Sequence, residues 1–144
     1  MCKRFILIVI LIVIGIYGCK KGESSNSIVN ASSPQEIVNC FCKWWKHAEY
    51  KKMYQTLSSE VKGNLSFEKF KERYISHTKI FGTPQTCFVV DILQNTGHKK
   101  LLEIEVKYSN NRIPIMRKNN WCIKEGDFWY IEEGSLTNPQ GGIF

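Results

Sequence analysis

Leu102-Glu103-Ile104-Glu105-Val106-Lys107-Tyr108 is the stretch that decides the fold. Apolar and charged residues alternate through it without a break, and a period of two places Leu102, Ile104, Val106 and Tyr108 on one face of an extended strand. Glu103, Glu105 and Lys107 take the other. A strand with one apolar and one charged face belongs to an antiparallel sheet covered on one side only. Whatever covers that side must come from elsewhere in the chain.

Downstream, the strand pattern continues. A further strand is expected from about Ile113 to Lys124, interrupted by Pro114 and by Asn119-Asn120. Glu125-Gly126-Asp127 then forms a tight turn into Phe128-Trp129-Tyr130-Ile131-Glu132, and the terminal hairpin should close the core through Trp121, Ile123, Trp129 and Ile131. Upstream, Cys87 to Leu93 reads as a mostly buried strand ended by Asn95-Thr96-Gly97.

Before Thr86 the period is that of helices. Ser33-Pro34-Gln35-Glu36 combines an N-cap serine, a proline at the first helical position and a capping-box glutamate. Ile37, Val38, Phe41, Trp44, Trp45 and Ala48 follow as one broad apolar stripe. Tyr50 to Leu57 forms a short helical unit whose end is marked by Ser58-Ser59, and Ser66 caps a third helix carrying Phe67, Phe70, Tyr74 and Ile75. Gly82 and Pro84 stop it. Three helices followed by four antiparallel strands make an α+β layout, with the helices on the covered face.

The ordered set of Ser33 to Trp45, Tyr50 to Ser58, Ser66 to Phe70 and the Trp121 to Ile131 hairpin resembles the nuclear transport factor 2-like superfamily, in particular its small bacterial lipoproteins. That resemblance implies N-terminal helices packed on a curved four-stranded, or slightly larger, antiparallel sheet. The shape would be a cone with an apolar cavity at one end. It carries no single activity, because the fold hosts isomerases, dehydratases, cyclases and noncatalytic modules alike.

The amino terminus supplies an address. Lys3 and Arg4 precede an apolar run from Phe5 to Ile14, and Gly15 leads into Ile16-Tyr17-Gly18-Cys19. This is the pattern of a secretory signal, with a run short for a membrane span. The last four residues resemble the bacterial lipobox, although Tyr17 departs from its usual small residue. The resemblance implies cleavage before Cys19 and acylation of Cys19, which anchors the chain to the bacterial cell envelope, facing periplasm or exterior. The organisation expected is then a signal peptide over 1–18, a lipidated cysteine and flexible tether over 19–33, the folded domain over 34–134 and a tail over 135–144.

Loss of residues 1–18 leaves 18 basic and 13 acidic side chains, a net charge of +5. The lysines are scattered, without the continuous basic track that nucleic acid requires. Four cysteines remain besides Cys2 and Cys19. Cys40 and Cys42 stand two apart on a helix and point to different faces, so a local bridge between them is poor geometry. All four read as small buried thiols. The best bridged alternative joins Cys87 to Cys122, since both lie in expected strands.

Candidate chemistry is sparse. Asp91 is the only aspartate inside a strand and a weak candidate for a general base facing the cone, where a buried carboxylate would be perturbed. Trp44, Trp45, Tyr54, Tyr108 and Tyr130 are candidates for the wall of a ligand cavity, with core packing as the plainer account of each. His47, His77 and His98 form no motif and read as solvent-exposed, the first two at helix ends. No spacing suggests a metal or a cofactor. The expected function is a lipid-anchored, noncatalytic envelope protein that binds a hydrophobic small ligand or a protein partner, with a homodimer through the sheet as one partner. The alternatives are an isomerase- or dehydratase-like enzyme using Asp91, and a structural or immunity-type envelope protein.

Overall fold

In the computed structural model, which describes residues 29–139, four helices precede a four-stranded sheet. The helices are α1 (Pro34–Lys46), α2 (Tyr50–Gln55), α3 (Ser59–Asn64) and α4 (Phe67–Phe81). The strands are β1 (Pro84–Asn95), β2 (Lys99–Tyr108), β3 (Met116–Glu125) and β4 (Phe128–Gly134), an antiparallel meander in the order β1-β2-β3-β4. The α+β layout is therefore the one expected from the alternation of β2. The signal peptide, Cys19 and most of the tether lie outside the described residues, as do residues 140–144 of the tail.

The helix starts follow their capping chemistry. Ser33 Oγ accepts from the Glu36 amide at 3.1 Å, and Ser66 Oγ accepts from that of Lys69 at 3.4 Å. The same chemistry explains α3, a helix the sequence reading did not contain. Ser58 does not end the preceding unit; its hydroxyl accepts from the Val61 amide at 3.3 Å and starts a new turn.

Leu102, Ile104, Val106 and Tyr108 are all buried on the helix-facing side of β2. Against them pack Ile37, Phe41 and Trp45 of α1 and Phe70, Tyr74 and Phe81 of α4. Strand β3 differs from expectation. It begins at Met116, and the asparagine pair does not interrupt it: Asn120 is fully buried, its Oδ1 accepting from the Leu136 amide at 2.9 Å. The unbroken strand places Lys118, Asn120 and Cys122 on the inner side. Trp121 and Ile123 consequently face outward and are only half-buried, whereas Trp129 and Ile131 do close the core.

The folded unit is longer than 34–134. Ala31 is buried and its carbonyl accepts from the Trp129 amide at 3.0 Å. At the other end Leu136 is fully buried, and its carbonyl accepts from the Tyr74 hydroxyl.

The cysteine expectations need correction. Cys42 of α1 is bonded to Cys87 of β1, with Cα atoms 5.5 Å apart across 45 residues of chain. Cys87 therefore does not pair with Cys122, and the reading as buried thiols holds for Cys122 alone. The reason lies in the sheet order: strand β2 separates the two positions, since Cys87 sits opposite Val106 on β2 and Cys122 opposite Lys100 at that strand's other end.

Candidate functional site

Between α1, α4 and the inner face of the sheet lies the interior that a cone-shaped fold offers to a ligand. Here rings occupy it. Trp45 meets Tyr74 edge-on with centroids 5.2 Å apart and Tyr108 at 5.9 Å, while Phe41 and Phe70 extend the cluster towards α2. Such edge-to-face contacts match the ring quadrupoles and are worth about 1 kcal/mol each beyond burial.

His77 belongs to this cluster, contrary to the expectation of an exposed helix end. It is fully buried one turn before the end of α4, stacked on Phe81 at 4.3 Å and 5.5 Å from Trp45. Its Nε2 lies 3.3 Å from the Tyr108 hydroxyl, and Nδ1 has no hydrogen-bond partner. The position was legible, since residues 70, 74, 77 and 81 recur at helical spacing on one face. Burial, and then the neighbouring Lys118, lower its pKa from 6.5 to about 4. The imidazole is thus neutral at neutral pH.

Burial also lowers the pKa of Lys118 and raises those of Tyr108 and Tyr74, the last further raised by Tyr108. Cys122 is pushed up to about 12 by burial and by Glu132, which makes it a poor nucleophile. Lys118 escaped sequence reasoning because its inward parity depends on β3 being unbroken.

Asp91 takes no part in this interior. A register irregularity between Val89 and Asp91 marks an extra residue in β1, so Val89 pairs with inward Ile104 while Asp91 pairs with outward Glu103. The carboxylate is exposed and accepts from the Ile92 amide at 2.7 Å. No ionised carboxylate is therefore within the described hydrogen-bond network of His77 or Lys118.

Of the five proposed cavity residues, Trp45 and Tyr108 meet in the interior. Tyr54 joins the edge of the same cluster through Phe70 at 5.6 Å and donates its hydroxyl to the Leu65 carbonyl at 2.7 Å, an anchoring role rather than a reactive one. Trp44 is half-buried at the margin of the core. Tyr130 points to the outer side, with the Lys62 ammonium 5.7 Å from its ring centre. The five do not line one cavity. Among the described residues, no group of three or more metal-ligating side chains is gathered.

Surface clefts are also formed by the described residues. One of about 300 Å³ runs between α1 and the start of β1, lined by Lys43 and Lys46 on one side and Gln85, Thr86 and Phe88 on the other. Another of about 360 Å³ lies between α3, α4 and the end of β4, where Arg73 faces Glu60, Glu132 and Glu133. The Arg73 guanidinium donates to the Thr137 carbonyl at 3.2 Å, and Glu132 is paired with Lys99 at 2.7 Å. Arg73 and Glu132 are thus engaged within the domain.

Residues 33–110, from the cap of α1 through β2, match the NTF2-like N-terminal transpeptidase domain. The chain belongs to that family. The match takes in Trp45, His77 and Tyr108 but ends before Lys118, so the family pattern covers the helical layer and half of the sheet. Among curated proteins, penicillin-binding protein 3 of Bacillus subtilis (strain 168) is 36% identical over 76 residues, 51% of this chain. The aligned part is 10% of that penicillin-binding protein. Among solved structures, a SEC-C motif containing protein from Rhodopseudomonas palustris superposes with a TM-score of 0.55 at 13% identity, over 74% of this chain and 80% of that one. At that identity the likeness is one of fold. The NTF2-like family domain thus agrees with the superfamily resemblance.

Proposed function

We propose that this NTF2-like domain is a noncatalytic module of the bacterial cell envelope, anchored through acylated Cys19, that works by engaging a protein partner on its surface. The observation that carries the reading is the filled interior: Trp45, Tyr74, His77 and Tyr108 occupy the space where a small ligand or substrate would sit. General acid-base chemistry needs a group within hydrogen-bond reach of a bound substrate. His77 is walled off by rings, and Asp91 lies on the opposite side of the sheet. A partner surface is favoured over a hydrophobic small ligand for the same reason.

Similarity to the penicillin-binding protein supports the envelope setting, and the Ile16-Tyr17-Gly18-Cys19 pattern supports the anchor. The test has two parts. Metabolic labelling with a fatty acid should mark the wild-type chain and not Cys19→Ala; equal label in both removes the anchor. Site-specific photocrosslinkers placed on exposed positions of each surface in intact cells should give a discrete adduct with an envelope protein from at least one face. Absence of any adduct, together with co-purification of a stoichiometric small molecule, would replace the partner reading with ligand binding.

A further inference from the structure

The sheet has two outer edges, and they are treated differently. At β4 the edge is covered: the Ser58 amide donates to the Ile131 carbonyl at 2.8 Å, the Ile131 amide to that of Thr56 at 2.8 Å, and the Trp129 amide to that of Ala31 at 3.0 Å. At β1 no backbone group of the outer edge has such a partner among the described residues, for β1 pairs with β2 alone. An uncovered edge strand presents a row of unpaired N–H and C=O groups ready to receive another strand.

Register irregularities distort β1 after Pro84, after Val89 and after Ile92. Such bulges twist an edge away from pairing and protect most of this one. The stretch they leave regular is Thr86 to Val89. It borders the cleft whose opposite wall carries Lys43 and Lys46. Both lysines are exposed, and neither forms an ion pair among the described residues. Their place in the last turn of α1 complements the helix dipole, yet leaves both ammonium groups available above the open edge. Phe88, 43% exposed, flanks the same stretch on the outer side of the sheet.

From this juxtaposition we infer that the Thr86–Val89 edge receives an extended acidic segment of a partner protein as a fifth strand. The inference rests on the partner reading above and names the site and the chemistry. Backbone hydrogen bonds to the edge supply affinity in such strand addition, and alternate side chains supply selectivity. Side chains of the added strand that face α1 meet Lys43 and Lys46 and should be carboxylates. Those on the other side lie beside Phe88 and should be apolar.

Charge also selects this occupant over two others. A second copy pairing edge to edge brings a chain of net charge +5, counted without residues 1–18, against itself, with no acidic residue on the regular stretch to answer the lysines. The parts of this chain outside the described residues contain a single acidic side chain, Glu23, beside Lys20 and Lys21.

The test uses the full chain, oxidised, and a fluorescent peptide of alternating glutamate and valine, with binding read by anisotropy. Saturable binding is expected, weakened roughly tenfold or more when Lys43→Glu and Lys46→Glu are combined, as charge reversal at a complementary contact requires. A peptide with N-methylated backbone and one with lysine in place of glutamate should both fail. Equal binding of the lysine peptide or of the N-methylated peptide overturns the inference, as does absence of binding to the glutamate peptide. A dimer in solution whose crosslinks join Thr86–Val89 of two copies also overturns it in favour of self-pairing. Should the peptide fail while photocrosslinks in cells arise from another face, the edge assignment falls and the partner reading stands.

Discussion

His77 shows how one side chain ties packing to pH. Its folded pKa of about 4 lies below the ordinary value of 6.5, so the fold favours the neutral ring. That contribution is complete above about pH 6.5 and is lost as the pH falls towards 4, because the unfolded chain then binds a proton that the folded one refuses. The shift corresponds to about 3 kcal/mol. Lys118 and the neutral Tyr108 hydroxyl are its polar neighbours, and neither offers a negative charge to offset protonation. Urea midpoints at pH 7 and pH 4.5 should diverge more for wild type than for His77→Phe; identical losses in the two proteins would place the ring in solvent. Asp91 makes the contrast. It is exposed opposite Glu103, so Asp91→Asn should change stability by no more than about 0.5 kcal/mol, with a gain expected on removal of a like charge. A loss of several kcal/mol on denaturant titration would contradict its outward placement.

At the level of elements, the Cys42–Cys87 bond ties α1 to an edge strand that pairs with β2 alone among the described residues. Closing a loop of 45 residues restrains the unfolded chain by an amount worth about 2–4 kcal/mol. Cys42→Ala with Cys87→Ala should lower the denaturant midpoint accordingly and raise amide exchange first in β1. Exchange rising equally in β3 would show that the bond does not act locally. The turn out of β4 depends on Gly134, whose φ is +146° and whose missing side chain would lie 2.7 Å from the Asn120 Cα. Gly134→Ala is both strained and obstructed there, and a loss of about 2 kcal/mol or more is expected in thermal unfolding.

Across the whole molecule, stability rests on one aromatic and aliphatic core sealed by the terminal hairpin. Trp129→Ala removes a ring that is 5% exposed and should cost about 3–5 kcal/mol, a large share of a small domain's stability. Trp121, on the outer side under the Lys99 ammonium at 5.1 Å, should cost about 1 kcal/mol or less on the same substitution. Similar losses for both tryptophans in chemical denaturation would mean that the faces of the hairpin are misassigned.

The sequence by itself determined that helices precede four strands, the caps at Ser33 and Ser66 and the inward face of β2, though not the short helix α3, because caps and periodicities are local and each residue's neighbours reveal them. It also contained the helical spacing that buries His77, although a histidine near a helix C-terminus is equally suited to solvent. Tertiary structure alone decided which way Asp91 points, since one extra residue after Val89 reverses the parity of Asp91 and Ile92. It likewise decided that Cys87 meets Cys42 and not Cys122, because a covalent bond needs two Cα atoms within reach, and that distance is set by how α1 lies on the sheet. Lys118, Asn120 and the open edge of β1 belong to the same class: their surroundings are made by segments far away in the chain.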